Sequence, residues 1–127
     1  MKEGIEIKLS DEVCIDFFFR ALCNGMEYIM GYDITVHCKR SSYDAARAKL
    51  TNPSHEDVFI QALKDGGVIE FIDHNGDETV EVNLAMVLER IPNVELDTLL
   101  EMIQEKDDAC TADIILQTVA YGEVQFG

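Results

Sequence analysis

The segment from residue 11 to residue 24 most constrains the fold, because nearly all of its side chains are apolar. Its polar side chains recur every four residues and form one narrow stripe on a helix: Glu12, Asp16, Arg20 and Asn24. Ser10 or Asp11 is suited to cap this helix, and Gly25 is suited to end it. A helix with so narrow a polar face must be covered by the rest of the chain. We therefore expect it to be the central core helix.

The remaining sequence is long enough to cover such a helix within one domain. The chain has 127 residues, of which 47% are hydrophobic and 28% are charged. These values are ordinary for a soluble globular protein and exclude general disorder. No low-complexity run, linker or internal repeat divides the chain. We therefore predict a single domain spanning residues 1–127.

Targeting signals and cysteine spacing indicate the compartment. The N-terminus lacks the basic region and apolar run of a secretory signal. No stretch approaches the roughly 18 apolar residues that a membrane helix needs. The four cysteines form no CxxC pair: Cys14, Cys23, Cys38 and Cys110. We interpret them as reduced thiols of a cytoplasmic protein.

Alternation of apolar and polar residues predicts five short strands. They centre on residues 5–9, 32–38, 68–73, 78–82 and 124–126. Asn75-Gly76 between the third and fourth strands predicts a hairpin over residues 68–83. The last strand, with Val124 and Phe126 on one side, would end the chain at a sheet edge. Because such an edge is able to pair with a second copy, we expect a homodimer.

Helix signals separate these strands. Ser41 or Ser42 opens a short helix, and Ser54 opens another with Asp57 in the third position of a capping box. Further helices are predicted after Asn83, after Asn93 and from Ala109 to Tyr121. In the Asn93 helix, four apolar residues share one face and predict its buried seam: Leu96, Leu99, Leu100 and Ile103. The sequence thus predicts an α+β fold with five or six helices and a mainly antiparallel sheet, whose strand order stays open.

Charge is distributed very unevenly along the chain. Acids outnumber bases 25 to 10, which gives a formal charge of -15. Residues 1–64 carry a net charge of -2, whereas residues 65–127 carry -13 and contain only Arg90 and Lys106 as bases. This balance argues against a general nucleic-acid or membrane-surface binder, because phosphate would be repelled over most of the surface. It suits a basic protein partner, or no macromolecular partner at all.

The helix predicted after Asn93 concentrates this acidic charge. Asp97, Glu101 and Glu105 recur every four residues, and Asp108 nearly continues the column. Water alone is able to screen such a solvated outer face. Alternatively, the column is a row of carboxylates that meets a basic protein, as in a DNA mimic, an anti-restriction protein or an immunity-type inhibitor. Acids of the predicted hairpin would extend this surface: Glu70, Asp73, Asp77, Glu78 and Glu81.

A small basic segment stands out against the acidic background. It contains Lys39, Arg40, Arg47 and Lys49. One interpretation is that these side chains bind phosphate, with Tyr43 available to stack on a base. The other is that they pair with the chain's own carboxylates. Because carboxylates are so abundant, internal pairing is the favoured interpretation.

No sequence motif predicts a metal site, a cofactor site or a catalytic centre. The chain has no GxxxxGK[ST] or GxGxxG loop, and His55-Glu56 lacks the second histidine of a zincin helix because Phe59 occupies that position. We therefore predict no metal and no cofactor. A small enzyme would require a site assembled in space around His37, His55 or His74.

The C-terminus carries a resemblance. Residues 112–117, ADIILQ, and residues 121–127, YGEVQFG, resemble the tail of small acidic proteins of gut bacteria and their mobile elements. No function is assigned to that group, so the resemblance implies an origin rather than an activity. It implies a bacterial protein of a prophage or conjugative element, for which an anti-restriction or regulatory role is an expectation by association. Together with the charge, this makes a non-enzymatic acidic interaction module the leading hypothesis.

Overall fold

Six α-helices and a three-stranded antiparallel sheet form residues 8–127, the part of the chain that the computed structural model describes. The elements follow in the order α1 (Asp11–Met30), β1 (Ile34–His37), α2 (Arg40–Arg47), α3 (His55–Lys64), β2 (Ile69–Asp73), β3 (Glu78–Val82), α4 (Leu84–Arg90), α5 (Leu96–Ile103) and α6 (Ala109–Tyr121). A 3-10 turn over Ile91–Asn93 links α4 to the segment before α5. The predicted α+β class is confirmed.

The sheet has the order β1-β2-β3, with both pairs antiparallel. Val36, Phe71 and Val80 lie opposite one another on the face that packs against the helices. The predicted hairpin is confirmed, with Asp73 paired to Glu78 at its tip. The Asp73 carboxylate accepts hydrogen bonds from the backbone N–H groups of Asn75 and Gly76, which shapes the loop between the strands.

Fewer strands form than the alternation predicts. Three strands rather than about five are present in residues 8–127. The predicted first strand lies mostly outside the described residues, which begin at Lys8. The predicted closing strand is wrong, because residues 124–126 pair with no strand of the described part of the chain. The homodimer expectation therefore loses the sheet edge on which it was based.

Helix α1 is the core helix that its composition predicts, but it continues past Gly25 to Met30. Gly25 is buried where α1 crosses α6. A Cβ atom at this position would lie 2.8 Å from the Ala112 Cβ and 2.9 Å from the Leu116 Cδ1. The glycine therefore allows two helices to approach closely and does not end the helix, so the prediction of a helix end here is wrong.

Local capping signals place the starts of α3 and α4. The predicted opening of α2 at Ser41 or Ser42 is wrong, because α2 begins at Arg40 after Lys39, which makes no side-chain cap. Ser54 and Asp57 form a reciprocal capping box at the start of α3. The Asn83 side chain accepts from the Met86 N–H at 2.9 Å and starts α4. The prediction that Asn93 caps α5 is wrong: its side chain donates to the Glu89 carbonyl, and Glu95 precedes the helix without a side-chain cap.

Gln117 anchors the C-terminal tail to α6. Its Oε1 atom accepts from the N–H groups of Gln125 and Phe126 at 2.7 and 2.8 Å, and its Nε2 atom donates to Asp113 at 2.7 Å. The Tyr32 hydroxyl donates to the other Asp113 oxygen at 3.0 Å, and its ring stacks on Phe126. The residues that carry the C-terminal resemblance thus hold the tail in place.

Substitution of Gly25 by alanine tests the close approach of α1 and α6. We expect Gly25→Ala to lower the free energy of unfolding by about 1–3 kcal/mol, because the added methyl group overlaps the Ala112 and Leu116 side chains. Urea denaturation measures this change. Glu27→Ala, on the exposed side of the same helix, is the control and should change stability by less than about 0.5 kcal/mol. A Gly25→Ala variant as stable as the wild type would contradict the interpretation.

Candidate functional site

Helix α5 presents a different face to the core from the one that its sequence predicts. Its buried side chains are Thr98, Leu99 and Met102. Leu100 is 38% exposed and Ile103 is 50% exposed. The predicted buried seam is therefore wrong for these two positions. The helix packs against α6 through its Thr98–Met102 side, which turns the seam outward.

The predicted acidic column is shorter than four residues. Asp97 and Glu101 lie on the exposed side of α5, one turn apart. Glu105 lies beyond the helix end at Ile103, in a left-handed conformation with φ 56°. Asp108 is the N-cap residue of α6. All four side chains are exposed, but only two share a helix face.

Asp108 has a structural task of its own. Its carboxylate accepts a hydrogen bond from the Thr111 backbone N–H at 3.0 Å. In return, the Thr111 hydroxyl oxygen accepts from the Asp108 backbone N–H, which completes a reciprocal capping box. These hydrogen bonds, that of the Thr111 backbone first, hold the pKa of the Asp108 carboxyl below its ordinary value. Asp108 is therefore part of the scaffold that supports the acidic surface.

The remaining acids of this region are not neutralised by the described chain. Within residues 8–127, no ion pair involves Asp97, Glu101 or Glu105. Glu101 accepts one weak contact from the Thr111 hydroxyl at 3.4 Å. We define the acidic surface as Asp97, Glu101 and Glu105.

Arg20 fixes the segment that carries this surface. Its guanidinium donates to Asp107, to Asp16 and, at 2.9 Å, to the Met102 carbonyl in the last turn of α5. The Asp107 side chain is only 9% exposed. The sequence shows Arg20 only as part of a polar stripe, because Asp107 lies 87 residues further along the chain. No local signal was able to identify this pair.

The basic segment is largely occupied by the chain's own acids. Lys39 approaches Glu81 at 3.8 Å, and Arg40 approaches Asp44 at 3.7 Å. The Lys49 Nζ atom lies 2.9 Å from the Asp65 Oδ1 atom, and this hydrogen bond holds the pKa of the Asp65 carboxyl below its ordinary value. Arg47 is exposed on α2 without an ion pair among residues 8–127. Internal pairing thus accounts for three of the four cations.

The hairpin acids are partly used within the sheet. Asp73 organises the loop, and Glu81 is the partner of Lys39. Glu70 lies directly opposite Glu81, where like charges repel and Lys39 offsets part of that repulsion. Asp77 and Glu78 are exposed at the tip.

The three histidines are not brought together. His37 lies at the end of β1, and His74 lies beyond its opposite end, hydrogen-bonded to the Thr35 hydroxyl at 2.9 Å. His55 begins α3 and contacts the Tyr43 hydroxyl. A groove of about 340 Å³ between α1 and α3 is lined by residues such as Phe19, Ile60 and Lys64, and by no histidine or cysteine. The three histidines therefore lie apart from one another and outside the lining of this groove.

The thiols and the acids of residues 8–127 form no group of three or more that is arranged to hold a metal ion. Cys14 and Cys38 are buried, whereas Cys23 and Cys110 are exposed. Burial raises the pKa of the Cys14 and Cys38 thiols, and partial desolvation together with the nearby Glu56 carboxylate raises the pKa of the Cys23 thiol, which disfavours the reactive thiolate. In the same residues, no helix combines the length and apolar character that crossing a membrane requires.

Comparisons with family models, with curated proteins and with solved structures give no match to this chain.

Removal of the Arg20 charge tests whether this residue holds α5 in place. We expect Arg20→Met to lower the free energy of unfolding by about 2 kcal/mol, because Asp107 is left nearly buried without its cation. Chemical denaturation followed by circular dichroism measures the loss. Asp16→Asn removes only the exposed partner of Arg20, so it should change stability by less than about 0.5 kcal/mol. Equal effects of the two substitutions would contradict the assigned role.

The cap at Asp108 predicts a pH dependence. The folded-state pKa of Asp108 is depressed below the unfolded value of about 3.9. Its contribution to stability is therefore complete above the unfolded pKa and is lost as pH falls through the folded pKa. We expect Asp108→Asn to lower the thermal midpoint at pH 7 and the difference to shrink below about pH 4. Asp97→Asn is the charge-matched control, and a pH-independent effect of Asp108→Asn would refute the prediction.

Proposed function

We propose that this chain is a non-enzymatic interaction module whose acidic surface binds a basic protein. The observation that carries the proposal is the exposure of Asp97, Glu101 and Glu105 without a compensating cation among residues 8–127. Asp97 and Glu101 lie one turn apart on α5 and repel each other, and a cationic partner removes that repulsion on binding.

The distribution of the chain's own cations supports this choice. Three of the four bases between residues 39 and 49 are paired with carboxylates, and Arg20 and Arg90 donate to main-chain carbonyl groups. The acidic surface is therefore left for an external cation. A regulatory protein that covers a basic site on its target, in the manner of a DNA mimic or an immunity protein, would use such a surface.

A low-salt pull-down from the source cell tests the proposal. The tagged chain is used as bait, bound material is released by a salt step, and the eluate is read by mass spectrometry and by absorbance of nucleic acid. We expect a basic protein in the salt eluate, because screening by salt weakens contacts between exposed charges. Nucleic acid in the eluate, lost in an Arg40→Glu/Arg47→Glu variant, would instead assign binding to the basic segment.

The triple variant Asp97→Asn/Glu101→Gln/Glu105→Gln identifies the surface. We expect it to bind the recovered protein about tenfold more weakly than the wild type and with a flatter salt dependence. Glu27→Gln/Glu89→Gln/Glu123→Gln removes the same charge from exposed positions outside both the acidic surface and the hairpin and is the matched control. Unchanged affinity of the first variant, or equal losses in both, would reject the acidic surface as the binding site.

A further inference from the structure

An apolar stripe runs beside the acidic surface on α5. Leu96, Leu100 and Ile103 have the spacing i, i+4 and i+7, so they lie along one side of the helix. Leu96 is half-buried, and Leu100 and Ile103 are among the exposed large hydrophobic side chains of the described residues. We call these three residues the α5 stripe.

Packing within residues 8–127 does not account for the α5 stripe. The inward face of α5 includes Thr98, which is 3% exposed, while the larger apolar side chains of Leu100 and Ile103 face solvent. A helix stabilised only by its own core would place leucine and isoleucine inward and threonine outward. In α5, Leu99 and Met102 do face inward, but Thr98 takes the third buried position while an apolar stripe is exposed, which is typical of a surface that another molecule covers.

Acidic side chains border the stripe on the same exposed side. Asp97 and Glu101 each follow a member of the stripe by one residue, so they form an adjacent strip along the helix. The exposed half of α5 is thus apolar along one edge and anionic along the other. This arrangement is complementary to a helix that carries an apolar stripe flanked by lysine or arginine.

We propose that α5 is the docking surface for a basic amphipathic helix of a partner protein, an inference that rests on the proposed function. A second copy of this chain does not satisfy the charge, because each copy carries -15 and would bring its own acids to the interface. Nucleic acid and anionic membranes are repelled by the same carboxylates.

Contacts with the rest of the chain fix the orientation of α5 before a partner binds. The Arg20 guanidinium donates hydrogen bonds to the Met102 carbonyl in the last turn of α5 and to the Asp107 side chain, which follows the helix in sequence. Leu99 and Met102 pack into the core at 2% and 1% exposure. The helix therefore keeps one orientation, and the partner helix meets a preformed surface.

A synthetic helical peptide provides the probe. It has about 14 residues, or four turns, with leucines at i, i+4, i+7 and i+11 and lysines on both sides of them. A peptide of the same composition in scrambled order has the same charge but no apolar stripe. Fluorescence anisotropy measures both affinities at low and moderate salt. We expect the amphipathic peptide to bind the wild-type chain at least tenfold more tightly than the scrambled one.

Two variants separate the apolar contribution from the charge. We expect Leu100→Gln/Ile103→Gln to weaken binding of the amphipathic peptide at least tenfold without changing the salt dependence. Asp97→Asn/Glu101→Gln should weaken the binding of both peptides and flatten the salt dependence. Met30→Gln is the control for loss of an exposed apolar side chain, because Met30 is 57% exposed on α1. The thermal midpoint of each variant verifies that it is folded.

The outcomes distinguish this proposal from the one on which it rests. If both peptides bind equally and only the acidic variant weakens them, the acidic surface stands and the α5 docking proposal is overturned. Equal losses in Met30→Gln and Leu100→Gln/Ile103→Gln overturn it as well. If neither peptide binds at low salt, both proposals fail. Sedimentation that shows a wild-type dimer and a Leu100→Gln/Ile103→Gln monomer would assign the stripe to a second copy.

Discussion

The close approach of α1 and α6 at Gly25 determines the distance between the two longest helices of the fold. A side chain at Gly25 would overlap both Ala112 and Leu116, so the contact depends on the absence of a Cβ atom. The sheet, α3 and α4 then pack around the remaining faces of α1, as its narrow polar stripe requires. The position of α5 follows from the same contact, because α5 packs on α6 and Arg20 of α1 binds its final turn.

The use of arginine explains why the acidic charge stays on the surface. Arg20 donates to the Met102 carbonyl near the end of α5, and Arg90 donates to the Val119 and Ala120 carbonyls near the end of α6. Main-chain carbonyls at a helix C-terminus lack intrahelical partners, so these two arginines satisfy groups that would otherwise be left unbonded. Lys106 is then the other base of residues 65–127, against 15 acids. Asp97, Glu101 and Glu105, which form no ion pair among residues 8–127, therefore depend on water or on a partner.

Sequence signals succeeded where the interaction is local and failed where distant packing decides. Ser54 and Asn83 cap helices through side chains that reach only three residues along the chain, and Asp73 shapes its hairpin loop in the same way. Gly25 predicts a helix end in the sequence, but in the structure it lies inside α1, where its buried contact with α6 requires a residue without a side chain. The tail at Gln125 and Phe126 alternates like a strand but bonds to the Gln117 side chain instead of to a neighbouring strand.

Helix α5 shows why the candidate site was only partly predictable. Spacing at i, i+4 and i+7 establishes that Leu96, Leu100 and Ile103 share a side, but it does not say whether that side meets the same chain or another molecule. The contact with α6 determines which face of α5 is buried, and the buried face contains Thr98, Leu99 and Met102. Leu100 and Ile103, two of the four residues that the sequence predicts as buried, are thereby left exposed beside Asp97 and Glu101. In our proposal, the hydrophobic pattern of α5 is satisfied by a partner, and the adjacent carboxylates select a basic one.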